Sequence, residues 1–133
     1  MPLKFHPRAG QVLVCDLSDF KPPEMVKVRP VVVISPRLPD RGGIVTIVPL
    51  STTPPRKPYP FVVPLSRSYK PGGEPSVQTW AKCDMILNIG LHRLNAFKVG
   101  RRKWEIPEMT YADLRAVRRG VVFGLGMGDL FSS

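Results

Sequence analysis

The sequence is poor in the residues that build metal centres and disulfide frameworks, with two cysteines and two histidines in 133 residues. Cys15 and Cys83 lie far apart, share no CxxC spacing and sit among Val, Leu, Met or Ile, so both read as reduced core residues. Adding His6 and His92 makes four scattered donors without ligand spacing, and neither a metal nor another cofactor is assigned. Long hydrophobic runs are missing too. No window approaches ~18 uninterrupted apolar residues and the first ten residues hold no apolar signal core, which gives the expectation of a cytoplasmic protein with no membrane partner. Acidic residues are scarce, 10 against 20 Lys and Arg, for a net charge of +10. That imbalance points to a polyanionic partner: RNA, DNA or an acidic protein segment.

Proline and glycine are abundant, 16 and 11 residues, and they punctuate the chain too often for a bundle of long helices. Short strands joined by turns fit better. At 43% hydrophobic and 23% charged, residues 1–133 can bury one core unaided, as a single domain. Residues 11–16 (QVLVCD) form the first β-rich run, followed by a Pro-rich connection, KPPE at 21–24. Residues 29–35 (RPVVVIS) are continuously β-branched, so they predict a central strand covered on both faces, with Pro30 at its start. Residues 43–51 (GIVTIVPLS) make a third strand, in which Pro49 suggests a bulge or an edge.

Runs at 59–66 and 76–87 follow, with a weaker sixth at 93–97. Near the C-terminus, Thr110 and Asp113 have capping-box spacing, and Leu114, Val117, Val121 and Leu125 recur on one helical face. Gly120, Gly124, Gly126 and Gly128 weaken the second half of that helix. Five or six antiparallel strands and one terminal helix describe a strongly bent sheet or partly closed barrel of the α+β class.

Chemistry-bearing residues fall at strand ends and loops: Glu24 before Arg29-Pro30, Ser51-Thr52-Thr53 ending the third strand, and Lys82-Cys83-Asp84 in the fifth. Their order, from Gly10-Gln11-Val12 through Glu24, Arg29 to Ile34 and Val48-Pro49-Leu50-Ser51 to YPFVVPL at 59–65, resembles the MazF/PemK (Kid) family of toxin endoribonucleases. The resemblance covers most of the chain. It implies a homodimeric, SH3-like (CcdB/MazF-like) antiparallel barrel with a C-terminal helix. It further implies an mRNA interferase that cuts single-stranded RNA without a metal and is neutralised by an acidic antitoxin. The family's catalytic Arg falls on Arg29, its strand-end Thr on Ser51 and its loop Glu on Glu24, while the PemK Arg-Cys-Asp triplet falls on Lys82, Cys83 and Asp84. The loop departs from the pattern: Pro22 and Lys27 replace flanking glycines, Met25 replaces a Gln and Pro23 a His.

Metal-free RNA cleavage uses the adjacent 2′-OH as nucleophile, so a site must accept its proton, stabilise the phosphorane charge and protonate the 5′-oxygen. Arg29 offers a cationic fork for phosphate and is too strong a base-holder to take a proton. Glu24 or Asp84 is then the candidate base and Ser51 the donor that orients the phosphate. Lys82, Thr52, Thr53, Lys27, Arg56 and Trp80 are candidate RNA contacts. The plain alternatives are a surface ion pair for Arg29, a simple turn at Ser51–Thr53, a solvated face at Lys82 and Asp84, core packing for Trp80, Tyr59 and Phe61, and a solvated loop at Arg101-Arg102-Lys103. Two other functions stay open: a non-enzymatic inhibitor resembling the CcdB gyrase poisons, or a basic RNA-binding module without catalysis.

Overall fold

The computed structural model describes residues 3–131. Three strands form its centre. β1 (Val12–Asp16) pairs antiparallel with β2 (Val28–Val33), which pairs antiparallel with β3 (Ile44–Ser51). Side chains alternate across this sheet and both faces are buried, as the β-branched runs require. Val12, Val32 and Val48 face one cluster, while Leu13, Val31, Val33 and Ile47 face another. A terminal helix, α1 (Tyr111–Gly124), covers the first cluster through Leu114, Val117 and Val121. Loop side chains such as Met25 and Phe20 close over the second.

The remaining strands are short: β4 (Val62–Pro64), β5 (Trp80–Lys82), β6 (Leu87–Gly90), β7 (Leu94–Asn95), β8 (Phe97–Gly100) and β9 (Lys103–Glu105). The order is β4-β5-β3-β2-β1-β7, with β6 also on β3 and with β8 and β9 forming a separate two-stranded sheet. The architecture is α+β, an antiparallel sheet with one C-terminal helix. The sheet is open, not closed: β4 and β7 end the path and do not pair with each other.

Several expected elements divide. The run at 76–87 is not one strand, because Cys83–Met85 form a single 3-10 turn that separates β5 from β6. Both flanking strands can thereby pair with β3 at different points along its length. The run at 59–66 shrinks to three paired residues, and that at 93–97 splits into β7 and the start of β8. Leu125 caps α1 and is exposed rather than buried, since the helix ends at Gly124. The expected capping box forms only in half. Thr110 accepts the backbone N–H of Asp113, but the Thr110 N–H goes to the Tyr69 hydroxyl and the Asp113 carboxylate accepts Ser66 and Tyr69 instead.

Pro30 is the third residue of β2 rather than its first, lying opposite Val14. Val33 donates its N–H toward Gln11 and Ile34 toward Thr46, so the alternation sends position 30 toward β3. A proline has no N–H to send, and the β2–β3 ladder stops at Val31 opposite Pro49. Pro49 itself lies where β3 changes neighbour, from β6 at Ile44–Ile47 to β5 at Leu50–Ser51. It marks a changeover between strands rather than an edge.

Candidate functional site

The broken ladder leaves a gap between the start of β2 and the end of β3, and a cleft of about 420 Å³ fills it. Val12, Val14, Val28, Pro30 and Leu50 lie on one side of their strands and floor the cleft. This is the face that α1 covers further along, through the cluster containing Val12 and Leu50. Arg29, Ser51, Thr52 and Thr53 supply its polar lining, and Ser68, Tyr69, Lys70, Thr79 and Phe97 complete the wall.

Arg29 is half-buried, and its Nε donates to the Val26 carbonyl at 2.9 Å. Among the described residues its terminal nitrogens have no partner, so the ion-pair reading of this arginine is not realised. Ser51 Oγ accepts the backbone N–H of Thr53 at 3.1 Å, which folds residues 51–53 into a tight hydroxyl-rich turn. The turn and the cleft lining are thus the same residues. A floor of valines beside an uncompensated cation and three hydroxyls suits a ligand that is part apolar and part anionic.

The other candidates lie outside this lining. Glu24 is exposed on the β1–β2 loop and its carboxylate accepts the Lys21 N–H at 3.3 Å. Met25 beside it is buried in the second core cluster and anchors the loop. Lys27 is exposed, takes a positive φ of 82° and accepts the Leu17 N–H through its carbonyl, one residue before the lining begins at Val28. Trp80 lies directly opposite Ser51 in the β3–β5 register, and Lys82 lies opposite Val62. Asp84 is exposed in the 3-10 turn, with its backbone against Gly124 of α1. Arg56 is exposed on the β3–β4 loop. The cleft therefore gathers Arg29 with Ser51, Thr52 and Thr53, and it holds no carboxylate or histidine of its own.

One group of residues escaped the sequence reading. Asp113 is buried and accepts three donors: the Ser66 N–H at 3.1 Å, the Ser66 hydroxyl at 2.7 Å and the Tyr69 hydroxyl at 2.6 Å. Tyr69 in turn accepts the Thr110 N–H at 3.2 Å. The loop that walls the cleft is thereby fastened to the first turn of α1. The available signal was an Asp where a capping box uses Glu or Gln.

Both thiols are buried and unpaired. Burial pushes Cys15 up to about 11, against a smaller opposing pull from Arg93, and pushes Cys83 up to about 12 with a further contribution from Asp84. Neither is a nucleophile at neutral pH. Among the described residues no three His, Cys, Asp or Glu side chains converge as a metal site would need, and no helix is long and apolar enough to cross a membrane.

Fold and cleft together define a small α+β protein with a cationic surface cleft at a break between two strands. Residues 8–119 match the family described as PemK-like, MazF-like toxin of type II toxin-antitoxin system, and the chain belongs to that family. Solved structures agree in fold. A MazF from Deinococcus radiodurans superposes with a TM-score of 0.69 at 21% identity, over 93% of this chain and 100% of that one. An endoribonuclease from Mycobacterial species, in complex with its cognate antitoxin, superposes with a TM-score of 0.62 at 23% identity, over 92% of this chain and 97% of that one. No curated protein matches the chain in sequence.

Proposed function

We propose that the chain, as one toxin domain over residues 1–133, is a sequence-selective endoribonuclease that cuts single-stranded RNA in the cytoplasm. One observation carries the reading: an arginine without an acidic partner shares a cleft with Ser51, Thr52 and Thr53. A phosphodiester supplies the anion such a site lacks, and an adjoining base suits the valine and proline floor. The structural relatives include an endoribonuclease in complex with its cognate antitoxin, which supports both the activity and an antitoxin as partner, and the net charge of +10 favours an acidic one.

The 2′-OH gives its proton to a base and attacks the adjacent phosphorus, the bond to the 5′-oxygen breaks and that oxygen takes up a proton, and the products are a 2′,3′-cyclic phosphate and a 5′-OH. Arg29 stabilises the charge that builds on the phosphorane, and the Ser51 hydroxyl, whose oxygen already accepts the Thr53 N–H, is free to donate to a phosphate oxygen. The base must come from beyond the lining. Glu24 is the better candidate of the two carboxylates, because its loop runs directly into Arg29, whereas Asp84 is held against the end of α1. Lys27, Trp80, Lys82 and Arg56, outside the lining, serve as further RNA contacts, and a second copy of the chain completes a homodimer. The donor set in the cleft, hydroxyls and cations, favours a reaction that needs no metal.

Incubating the purified chain with a mixed-sequence single-stranded RNA in EDTA tests the proposal. Fragments with 5′-OH ends are expected. Fragments with 5′-phosphate ends, or no cleavage until a divalent cation is added, would overturn the mechanism. Intact RNA under every condition, with gyrase inhibited instead, would select the CcdB-like alternative.

A further inference from the structure

The β8–β9 hairpin stands apart from the sheet that holds the cleft, and its two strands pair only with each other among the described residues. Two short strands alone are marginal in water, and every residue of β9 is exposed. Its base is anchored at Phe97, which is buried in the first core cluster and also lines the cleft. Its tip is different. Arg101, Arg102 and Lys103 follow one another with no acidic partner among the described residues, and all three are exposed. Trp104 keeps 39% of its surface exposed, with the Lys98 ammonium 5.8 Å from its ring centroid. Arg102 holds a φ of 58°, a conformation that Gly or Asn adopts at less cost.

We infer that this hairpin is a second RNA contact, in which Arg101, Arg102 and Lys103 hold phosphates of the strand leaving the cleft and Trp104 stacks on an unpaired base. The inference rests on the endoribonuclease reading and extends it. Three strand steps of ~3.3 Å carry the tip about 10 Å from Phe97, the hairpin residue that lines the cleft. Guanidinium forks match phosphate oxygens, and an indole face accepts any base. An acidic polypeptide would satisfy the cations, but single-stranded RNA also brings a flat, unpaired base beside each phosphate for the indole face. The exposed indole therefore favours RNA.

The test is fluorescence anisotropy on the full chain, with uncleavable 2′-O-methyl RNAs of about 20 and about four nucleotides. The variant Arg101→Ala/Arg102→Ala/Lys103→Ala should weaken binding of the long RNA at least ~10-fold and the short RNA far less. Its plot of log affinity against log salt should become shallower by about 2, as expected when three phosphate contacts at about 0.7 each are removed. Trp104→Ala should weaken the long RNA without changing that slope. Arg101→Lys/Arg102→Lys should keep the slope, which separates charge from any change in folding.

Unchanged affinity and slope, or equal losses for both lengths, would overturn the inference. So would a variant that keeps RNA binding but loses poly-L-glutamate, since the hairpin would then serve an acidic protein. If the unmodified chain cuts and binds RNA while the hairpin variants behave like it, the hairpin inference alone falls. If the unmodified chain neither binds nor cuts RNA, the functional proposal falls with it.

Discussion

The Tyr69 hydroxyl donates to Asp113 Oδ2 at 2.6 Å, joining residues 44 positions apart and making the cleft wall depend on the start of α1. Deleting the carboxylate strands three donors at once. Asp113→Ala should destabilise the fold by about 2 kcal/mol or more, and Tyr69→Phe by about 1 kcal/mol. Urea midpoints at constant m-value measure both. The double variant should show a coupling of roughly 1 kcal/mol, and strict additivity would mean that the two groups act independently.

Arg29→Ala should reduce RNA cleavage by about 100-fold or more while weakening RNA binding less than about 10-fold. A charge that forms only in the transition state is stabilised more than one ground-state phosphate. Single-turnover rates and anisotropy on the same preparation give the two numbers. Equal losses would reduce Arg29 to a backbone contact.

Gly120 lies where α1 crosses β4 and the 3-10 turn. A Cβ there would stand 2.6 Å from Val63 Cγ2 and 2.7 Å from Cys83 Sγ. Gly120→Ala gains helix propensity worth about 1 kcal/mol and meets an overpacking cost of about 1–3 kcal/mol, so a net loss of stability is expected. A rise in Tm would show that the helix sits further from the sheet.

The buried thiols set a pH dependence. An unfolded chain releases the Cys15 and Cys83 protons near 9, whereas the folded chain keeps them to about 11 and about 12. Between those limits the unfolded state binds fewer protons, so stability falls as pH rises. The thiol contribution is complete below about pH 9 and is lost progressively above it. Denaturation midpoints at pH 8 and 10 should differ in that direction, and a Cys15→Ala/Cys83→Ala variant should lose part of the difference.

The central strands were readable because their β-branched runs carry their own signal: Val31, Val32 and Val33 are fully buried wherever the chain goes next. Thr110 as a cap and Leu114, Val117 and Val121 as a helix face were readable for the same local reason. Elements defined by a partner were not. Cys83–Met85 look like strand until β3 is seen to need two neighbours on one edge. Beyond the buried Phe97, the β8–β9 hairpin exposes its side chains without alternation, so it has no pattern to detect. In the site, Arg29 and Ser51 were found as polar residues at strand ends. The role of Asp113 was hidden because Ser66 and Tyr69 lie 47 and 44 residues away.

The proline at 30 has a kinetic consequence. The cleft opens where β2, at Pro30, lacks the hydrogen-bond donor that would zip it to β3. No ladder has to be pried apart when a ligand arrives, so occupancy needs no prior gating step. In stopped-flow mixing, the observed association rate with a short RNA should rise linearly with protein concentration and reach no plateau. Replacing Pro30 by Val restores a donor facing Leu50. That variant should introduce a unimolecular opening step and turn the linear dependence into a saturating one.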